Sequence, residues 1–279
     1  MTGATSPAVD RDAPLGVFDS GLGGLTVVRA LRDALPAERI VYLGDTARVP
    51  YGTKAPATVI KYALSCAKHL VARDVKALVV ACNTASAVAP ERLRVELDIP
   101  VLAVIEPGAK AAVEATRTGR VGVLATAGTI ASGAYLRAIA QSSTRAECFG
   151  HAAPLLVPLA EEGWTEGEVP RLVVRRYLEP LAQADVDVVL LGCTHYPLLR
   201  PVIEDEVRSR IGRHVTVVDS AAAIATSVRS FLLERNLDRR CAEESGDVHL
   251  IATDVTRSFR EVATRFLGAP FGDVELVDL

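Results

Sequence analysis

Two cysteines of this chain end matching apolar runs, and their arrangement indicates paired acid/base chemistry. The runs are residues 74–82 (DVKALVVAC) and 185–193 (DVDVVLLGC), and Cys82 and Cys193 lie 111 positions apart. Hydroxyl, amide and imidazole side chains follow the two cysteines: Asn83, Thr84, Thr194 and His195. Two thiols on opposite sides of one carbon atom can remove a proton from one face and return a proton to the other. The pattern therefore predicts an enzyme that inverts a stereocentre.

A second pair of segments indicates a duplicated half-domain that carries one thiol per copy. Residues 16–21 (GVFDSG) are echoed by residues 122–128 (GVLATAG), 106 positions further on. Residues 99–106 and 214–220 form a third pair of similar segments. A repeat of about 110 residues is too long for a solenoid, so we expect two related α/β domains.

Composition is that of an ordinary globular protein. Of 279 residues, 49% are hydrophobic and 23% are charged, and the formal net charge is −3. Because there is no polybasic field, we expect a small-molecule substrate and neither nucleic acid nor a membrane as partner. No run approaches the ~18 apolar residues of a membrane span, and five cysteines without close pairs suit a reducing compartment. We therefore expect a cytoplasmic protein whose residues 1–14 form a disordered tail.

Short runs of Val, Ile and Leu alternate with segments of helical period along the chain. Continuous apolar strands are typical of parallel sheets covered by helices on both faces. The expected fold class is α/β, with two pseudosymmetric doubly wound domains and mainly parallel sheets. Ligands bind beyond the carboxyl ends of such strands, so we expect the active site in the cleft between the domains. Six side chains at predicted strand ends should line it: Asp19, Asp45, Cys82, Glu106, Cys193 and Asp219.

The cysteines have competing interpretations. Predicted helix starts after Cys82 and Cys193 would favour the thiolate, through unpaired backbone N–H groups and the positive end of the helix dipole. Zinc binding is the other functional interpretation, although the chain has no Cys-x-x-Cys motif and no His pair at ligand spacing. We expect the remaining three cysteines, Cys66, Cys148 and Cys241, to be packing residues.

Two polar loops could bind carboxylates or could be ordinary turns. The glycine loop 19–26 follows the first predicted strand, but Thr26 occupies the third glycine position of a dinucleotide fingerprint. The loop could therefore bind a carboxylate through its backbone amides, or it could be a tight turn without a ligand. The loop 44–54 contains Tyr51, whose hydroxyl could hold a second carboxylate; an ordinary surface loop is the alternative.

Charged groups near these segments also have structural alternatives. Isolated histidines are usually structural, but His195 lies two residues after Cys193 and could take up a proton or hold a thiolate. Glu161 and Glu162 lie in a loop-like segment, where a solvated charge pair is the default interpretation. For His195 and for the glutamates, the residues alone leave both the functional and the structural interpretation open.

Taken together, these segments resemble the bacterial glutamate racemase family from about residue 15 to residue 267. The joint order of the motifs is specific, and GCTHYPLL resembles the glutamate enzymes more than their aspartate-specific relatives. The motifs that carry the resemblance are DSGLGG at 19–24, GD at 44–45, PYG at 50–52, ACNTA at 81–85, VIEP at 104–107, GTI at 128–130 and GCTHYPLL at 192–199.

The resemblance implies an enzyme that interconverts L- and D-glutamate with Cys82 and Cys193 as acid/base residues and with no cofactor or metal. It further implies that Asp19, His195 and Glu161 assist the thiols. Substrate contacts are implied for Asp19, Ser20, Tyr51, Gly52, Asn83, Thr84, Thr194 and His195. One departure is that the family commonly has Cys-Pro before residue 155, whereas this chain has Ala153-Pro154, which weakens the local alignment towards Glu161.

The resemblance also implies a domain division and a biological role. Residues 1–106 and 216–279 should form the first domain, with Cys82, and residues 107–215 the second, with Cys193. The product D-glutamate would serve peptidoglycan synthesis, and we expect a homodimer. The alternatives are an aspartate racemase or related cofactor-independent isomerase, and a dicarboxylate-binding or regulatory protein without turnover.

Overall fold

The structure, a computed structural model, describes residues 10–240 and 246–279. Cys241 and residues 1–9 of the expected disordered tail lie outside these ranges. The rest of that tail is held in place, because Nζ of Lys76 donates a hydrogen bond to the carbonyl oxygen of Arg11 at 2.7 Å. The expectation of disorder is therefore wrong for residues 10–14.

Two parallel sheets contain the strands of the described residues. These are β1 Leu15–Asp19, β2 Ile40–Gly44, β3 Ala77–Val80, β4 Val101–Ala103, β5 Arg120–Ala125, β6 Glu147–Ala152, β7 Val188–Gly192, β8 Thr216–Asp219, β9 Val248–Ala252 and β10 Val274–Leu276. The first sheet has the order β10-β9-β2-β1-β3-β4 and the second the order β6-β5-β7-β8. We call the parts of the chain around these sheets the first lobe and the second lobe. The shared order, β2-β1-β3-β4 against β6-β5-β7-β8, confirms the expected pseudosymmetric α/β fold.

Helices connect the strands and cover the sheets. They are α1 Leu25–Ala34, α2 Pro56–Val71, α3 Asn83–Ser86, α4 Pro90–Glu96, α5 Ile105–Ala115, α6 Ala127–Ala131, α7 Ala134–Ser142, α8 Leu156–Glu161, α9 Glu168–Gln183, α10 Arg200–Arg210, α11 Ser220–Glu234 and α12 Phe259–Leu267. Short 3-10 turns lie at Thr46–Arg48, Tyr51–Thr53 and Tyr196–Leu199. Along the described ranges, none of the helices has the length and apolar character that a membrane crossing requires.

Alternating side chains of β1 show how each sheet is covered on both faces. Val17 packs in one core cluster with Leu25 of α1, whereas its neighbour Phe18 packs in a second cluster with Val59 of α2. Both faces of the strand are therefore buried, and each fully buried aliphatic or aromatic side chain contributes about 1.5–3 kcal/mol. This burial explains why the strands appear in the sequence as continuous apolar runs.

Matching turns precede the two thiol-bearing strand ends. Asp74 and Asp185, which open the repeated runs, both adopt left-handed backbone conformations, with φ of 55° and 49°. Residues other than glycine rarely adopt such values, and Asp is among the types that tolerate them best. The shared conformation agrees with duplication of this segment.

The chain leaves the second lobe after β8 and not before it. Thr216–Asp219 pairs with β7, so the second sheet extends to Asp219, and the division expected after residue 215 is displaced. The strand joins the second lobe because its backbone completes the ladder of β7. After α11 the chain returns to the first sheet, where β9 pairs with β2.

Candidate active site

A cavity of about 200 Å³ lies at the carboxyl ends of the strands and is lined by both lobes. This volume is below the ~300–1,000 Å³ that is usual for drug-sized ligands, so the cavity suits a small metabolite. Its lining residues are Ser20, Pro50, Tyr51, Gly52, Thr53, Cys82, Asn83, Thr84, Thr126, Ala127, Pro154, Val157, Pro158, Cys193, Thr194 and His195. The structure therefore brings the two cysteines of the repeat to one cavity.

Cys82 follows β3 and caps the N-terminus of α3. Its Sγ accepts a hydrogen bond from the backbone N–H of Ala85 and lies 3.5 Å from Oγ of Ser20. Burial and the nearby charge of Asp19 raise the pKa of Cys82 to about 12. The expected preference for the thiolate is therefore wrong for this residue, because burial penalises the charged sulfur more than a helix of 4 residues can stabilise it. Burial therefore favours the neutral thiol at Cys82 in the ligand-free cavity.

His195 lies between the second thiol and a carboxylate. Nδ1 is 3.9 Å from Sγ of Cys193, and Nε2 is 3.0 Å from Oε1 of Glu161. Burial lowers the pKa of His195, but its interactions with Cys193 and Glu161 outweigh burial and raise that pKa to about 10. The helix expected directly after Cys193 is a 3-10 turn that begins only at Tyr196. An imidazolium, and not a helix start, therefore accompanies this thiol.

Asp19 ends β1 and lies beneath the cavity wall. It is fully buried, Oδ2 accepts from the backbone N–H of Gly21 at 3.1 Å, and the hydroxyl of Thr194 lies 3.5 Å from Oδ1. Burial raises the pKa of Asp19, and the positive charge of His195 opposes this rise. Asp19 does not line the cavity, so it would act on a bound ligand through Thr194.

The glycine loop after β1 supports the loop that carries the second thiol. The hydroxyl of Thr26 lies 2.9 Å from the carbonyl oxygen of Thr194. A Cβ atom added to Gly23 would lie 2.4 Å from Nδ1 of His195, so this position must lack a side chain for the imidazole to fit. The threonine that breaks the dinucleotide fingerprint therefore holds the segment after Cys193 in place.

Amide and hydroxyl groups face the cavity beside Cys82. Oδ1 of Asn83 accepts a hydrogen bond from the hydroxyl of Tyr135 at 2.6 Å, while its buried Nδ2 has no partner among the described residues. The hydroxyl of Thr84 lies 3.0 Å from that of Thr126 in the other lobe. An unpaired amide donor and nearby hydroxyls suit a bound carboxylate.

Tyr51 and Gly52 come from the 3-10 turn after β2. The hydroxyl of Tyr51 donates to a carboxylate oxygen of Asp45, which also pairs with Nε of Arg48 at 2.7 Å. Asp45 was expected to line the cleft, but it lies behind Tyr51 and holds that ring. A Cβ atom on Gly52 would lie 3.0 Å from Cβ of Thr126, so the lobes approach closely here.

Two other expected residues do not reach the cavity. Glu106 lies in α5, its side chain is exposed, and it pairs with Arg94 at 3.4 Å. Asp219 accepts a hydrogen bond from the backbone N–H of Ala221 at 2.8 Å and caps α11. Glu106 follows β4 and Asp219 ends β8, but neither residue belongs to the lining.

Thr126 was missed by sequence reasoning, although a signal for it existed. The offset of 106 positions that relates the two repeated strands also relates Ser20 to Thr126. The departure at Ala153-Pro154 does not displace the following segment, because Pro154 lines the cavity and Glu161 reaches His195. The other missed lining residues carry no comparable signal: Pro50, Thr53, Ala127, Val157 and Pro158.

The four cysteines among the described residues are free thiols. Cys66 is buried and Cys148 is half-buried, which agrees with packing roles, and neither is disulfide-bonded. Within residues 10–240 and 246–279, no group of three His, Cys, Asp or Glu side chains is placed to hold a metal ion. The zinc interpretation therefore finds no ligand set in that part of the chain.

Comparison with known proteins agrees with this geometry. The model of the family described as Asp/Glu/Hydantoin racemase matches residues 23–228. A protein of Geobacter metallireducens named glutamate racemase is 52% identical over 95% of this chain and 96% of its own length. Glutamate racemase structures from Bacillus anthracis and from Francisella tularensis, the latter in complex with D-glutamate, superpose with TM-scores of 0.90 and 0.87. Each is 36% identical and covers 96% of this chain and 98% of its own. The chain therefore belongs to the Asp/Glu/Hydantoin racemase family.

Proposed function

We propose that this protein is a glutamate racemase in which Cys82 and Cys193 exchange protons with the α-carbon of the substrate. The observation that carries the proposal is that two thiols, at equivalent strand ends of two similar lobes, face one small cavity. The choice of glutamate is supported by the Geobacter relative, which bears that name, and by the Francisella structure, which holds D-glutamate.

Direct inversion needs one base and one acid at the start of each turnover. A thiolate at Cys193 takes the α-proton of L-glutamate, and the electron pair of the broken C–H bond remains on the α-carbon. The thiol of Cys82 then donates its proton to the opposite face, which yields D-glutamate and exchanges the protonation states of the two sulfurs. The reverse reaction runs the same transfers backwards.

The different surroundings of the two thiols support this unequal starting state. Burial and the charge of Asp19 raise the pKa of Cys82, which keeps its proton in place. The raised pKa of His195 keeps a positive charge beside Cys193. We assign Asp19, His195 and Glu161 to tuning the thiols in this way.

The carbanion formed at the α-carbon needs stabilisation by the protein. Ser20, Asn83 and Thr194 line the cavity next to the thiols and offer hydroxyl and amide donors for the α-carboxylate. Such hydrogen bonds strengthen as charge builds on the substrate, and closure of the lobes would exclude water. Tyr51, Gly52 and Thr84 would then hold the second carboxylate, and His195 would also contact the substrate.

The proposed activity places the protein in cell-wall biosynthesis. D-glutamate would be supplied for peptidoglycan in the cytoplasm, and we propose that the working form is a homodimer. Light scattering of the purified protein measures the mass in solution. A mass equal to that of one 29.6 kDa chain across concentrations would contradict the dimer.

A polarimetric assay with L-glutamate and no added cofactor tests the activity. In deuterium oxide, solvent deuterium should appear at the α-carbon of the product, because each inversion delivers a proton from an exchangeable thiol. Loss of activity on chelation, or a requirement for pyridoxal phosphate, would overturn the cofactor-free mechanism. Faster turnover of L-aspartate would favour an aspartate racemase, and binding without inversion would favour a dicarboxylate-binding protein.

A further inference from the structure

The side-chain amide of Asn83 has a hydrogen-bond partner for its oxygen but none among the described residues for its nitrogen. Its Oδ1 accepts the hydrogen bond from Tyr135, while its Nδ2 is buried without a partner among the described residues. A buried donor without a partner is destabilising, because it has lost its hydrogen bonds to water. Asn83 lines the cavity directly after Cys82, so a carboxylate that binds there and reaches Nδ2 would remove this cost.

The orientation of this amide depends on its partner. The two ends of an Asn side chain have nearly the same shape, and rotation about the last bond exchanges the donor for the acceptor. A carbonyl oxygen facing a substrate carboxylate would repel it. In this structure the hydroxyl of Tyr135 gives its hydrogen to Oδ1, and this contact stabilises the rotamer that leaves Nδ2 for a substrate carboxylate.

Tyr135 itself packs closely against the second thiol-bearing strand. It lies in α7 of the second lobe, is buried, and reaches across to Asn83 in the first lobe. A Cβ atom on Gly192, the residue before Cys193, would lie 2.8 Å from Cε2 of its ring. Burial raises the pKa of Tyr135, so the hydroxyl keeps its hydrogen.

We propose that Tyr135 is a positioning residue that orients the amide of Asn83 towards the substrate carboxylate and so couples one lobe to the binding site of the other. The role rests on the proposed racemase function, because it needs a carboxylate substrate in the cavity. Tyr135 touches no reacting atom and acts only through Asn83.

A double-mutant cycle between Tyr135→Phe and Asn83→Ala tests this role. Loss of the hydroxyl should lower kcat/KM for glutamate about 5- to 30-fold and weaken D-glutamate binding to a similar extent, which is the effect of one or two kcal/mol. In the Asn83→Ala background, the same Tyr135→Phe change should have almost no further effect on either quantity. Both should be measured, together with the thermal unfolding midpoint of each variant.

Tyr196→Phe is the matched control. Tyr196 is equally buried, and its hydroxyl donates to the backbone carbonyl of Ala153 at 2.8 Å with no contact to Asn83. We expect it to lower stability about as much as Tyr135→Phe does, with an additive effect in the Asn83→Ala background. A purely structural role for Tyr135 would give the same additive behaviour.

The outcomes separate this inference from the proposed function. Additive losses for Tyr135→Phe and Asn83→Ala, or no loss for Tyr135→Phe alone, would overturn the positioning role while the racemase function stands. If the unaltered protein fails to racemise glutamate, the proposed function is wrong, and the binding cycle with D-glutamate still decides whether Tyr135 acts through Asn83. Absence of D-glutamate binding would overturn both.

Discussion

Nε2 of His195 lies 3.0 Å from Oε1 of Glu161, on the side of the imidazole ring away from Cys193. Both ring nitrogens therefore face an acceptor, and a doubly protonated ring can donate to both of them. Phe266 packs edge-on against the ring with centroids 5.0 Å apart, which adds an apolar wall. The half-exposed Glu161 thus links a buried cation to the protein surface.

The first prediction concerns the charge of this histidine. We expect His195 in the free protein to stay protonated until about pH 10, and Glu161→Gln to lower its pKa because one interaction that raises it is lost. Since the unfolded-state pKa is about 6.5, the charged ring contributes stability fully below that pH, and the contribution is lost as the pH rises through the folded-state value. NMR titration of the imidazole nitrogens measures the pKa of His195 in the wild-type protein and in Glu161→Gln.

The exposed neighbour Glu162 offers a control for that titration. Glu162→Gln removes the same charge one residue further along the chain, and we expect it to leave the pKa of His195 unchanged. A wild-type pKa of His195 near the ordinary ~6.5, or equal values in Glu161→Gln and wild type, would contradict the assignment of Glu161.

A second prediction concerns the two directions of the reaction. L- and D-glutamate have equal free energy in water, so kcat/KM must remain equal in both directions for every variant. Loss of a group that serves one thiol should therefore appear as unequal changes in kcat that are offset in KM. We expect Asp19→Asn and His195→Asn each to lower kcat in one direction more than in the other.

The size of this effect should reflect an acid/base contribution. Positioned groups of this kind typically contribute ~10²- to 10⁴-fold. Progress curves that start from each enantiomer give kcat and KM for both directions. Values of kcat near wild type in both directions for both variants would remove the assisting role of Asp19 and His195.

The third prediction concerns which thiol removes the α-proton from which enantiomer. We expect Cys82 to deprotonate D-glutamate and Cys193 to deprotonate L-glutamate, so that replacing either one abolishes racemisation. An analogue with a leaving group at the β-carbon needs only deprotonation to eliminate. Cys82→Ser should therefore still process the L-configured analogue, and Cys193→Ser the D-configured one.

Elimination can be followed by release of the leaving group from each enantiomer. Cys148→Ser provides the control, because Cys148 lies in β6 away from the cavity lining and should retain full racemisation. The opposite pattern of elimination would reverse the assignment of the two thiols. Full racemase activity in Cys82→Ser or Cys193→Ser would refute the two-thiol mechanism.

The fourth prediction tests the fit of the glycine loop against His195. In Gly23→Ala the new Cβ would lie 2.4 Å from Nδ1 of His195 and 2.5 Å from Oγ1 of Thr194, so these side chains must move. Displacements of about 1 Å at a reacting site can cost ~10²-fold, and we expect a fall in kcat/KM of that order. Steady-state kinetics of glutamate racemisation measure the loss.

Gly21→Ala serves as the comparison within the same loop. Its nearest new contact would be Cγ1 of Val49 at 3.1 Å, at the end of an exposed side chain that can give way. We expect kcat/KM to remain far closer to wild type than in Gly23→Ala. Equal losses in the two variants would show that the loop, and not the contact with His195, is responsible.

Local pattern was sufficient to predict the fold class and the placement of the thiols. Buried parallel strands have apolar side chains on both faces. The apolar runs that end at Cys82 and Cys193 can therefore be recognised as strands from the sequence alone. The repeat then predicts that equivalent strand ends carry equivalent groups, and the sheet orders of the two lobes confirm this. The same reasoning would have identified Thr126 from Ser20.

Only the tertiary structure decided which strand-end groups meet and in which protonation state. Asp45 lies behind Tyr51 and Glu106 is exposed, because helix and loop packing, and not neighbours along the chain, determines where such side chains point. The raised pKa of Cys82 comes from burial, which depends on the atoms that both lobes bring around the sulfur. Sequence patterns specify periodicity and spacing, whereas desolvation and distances across the cavity arise only when the two lobes pack.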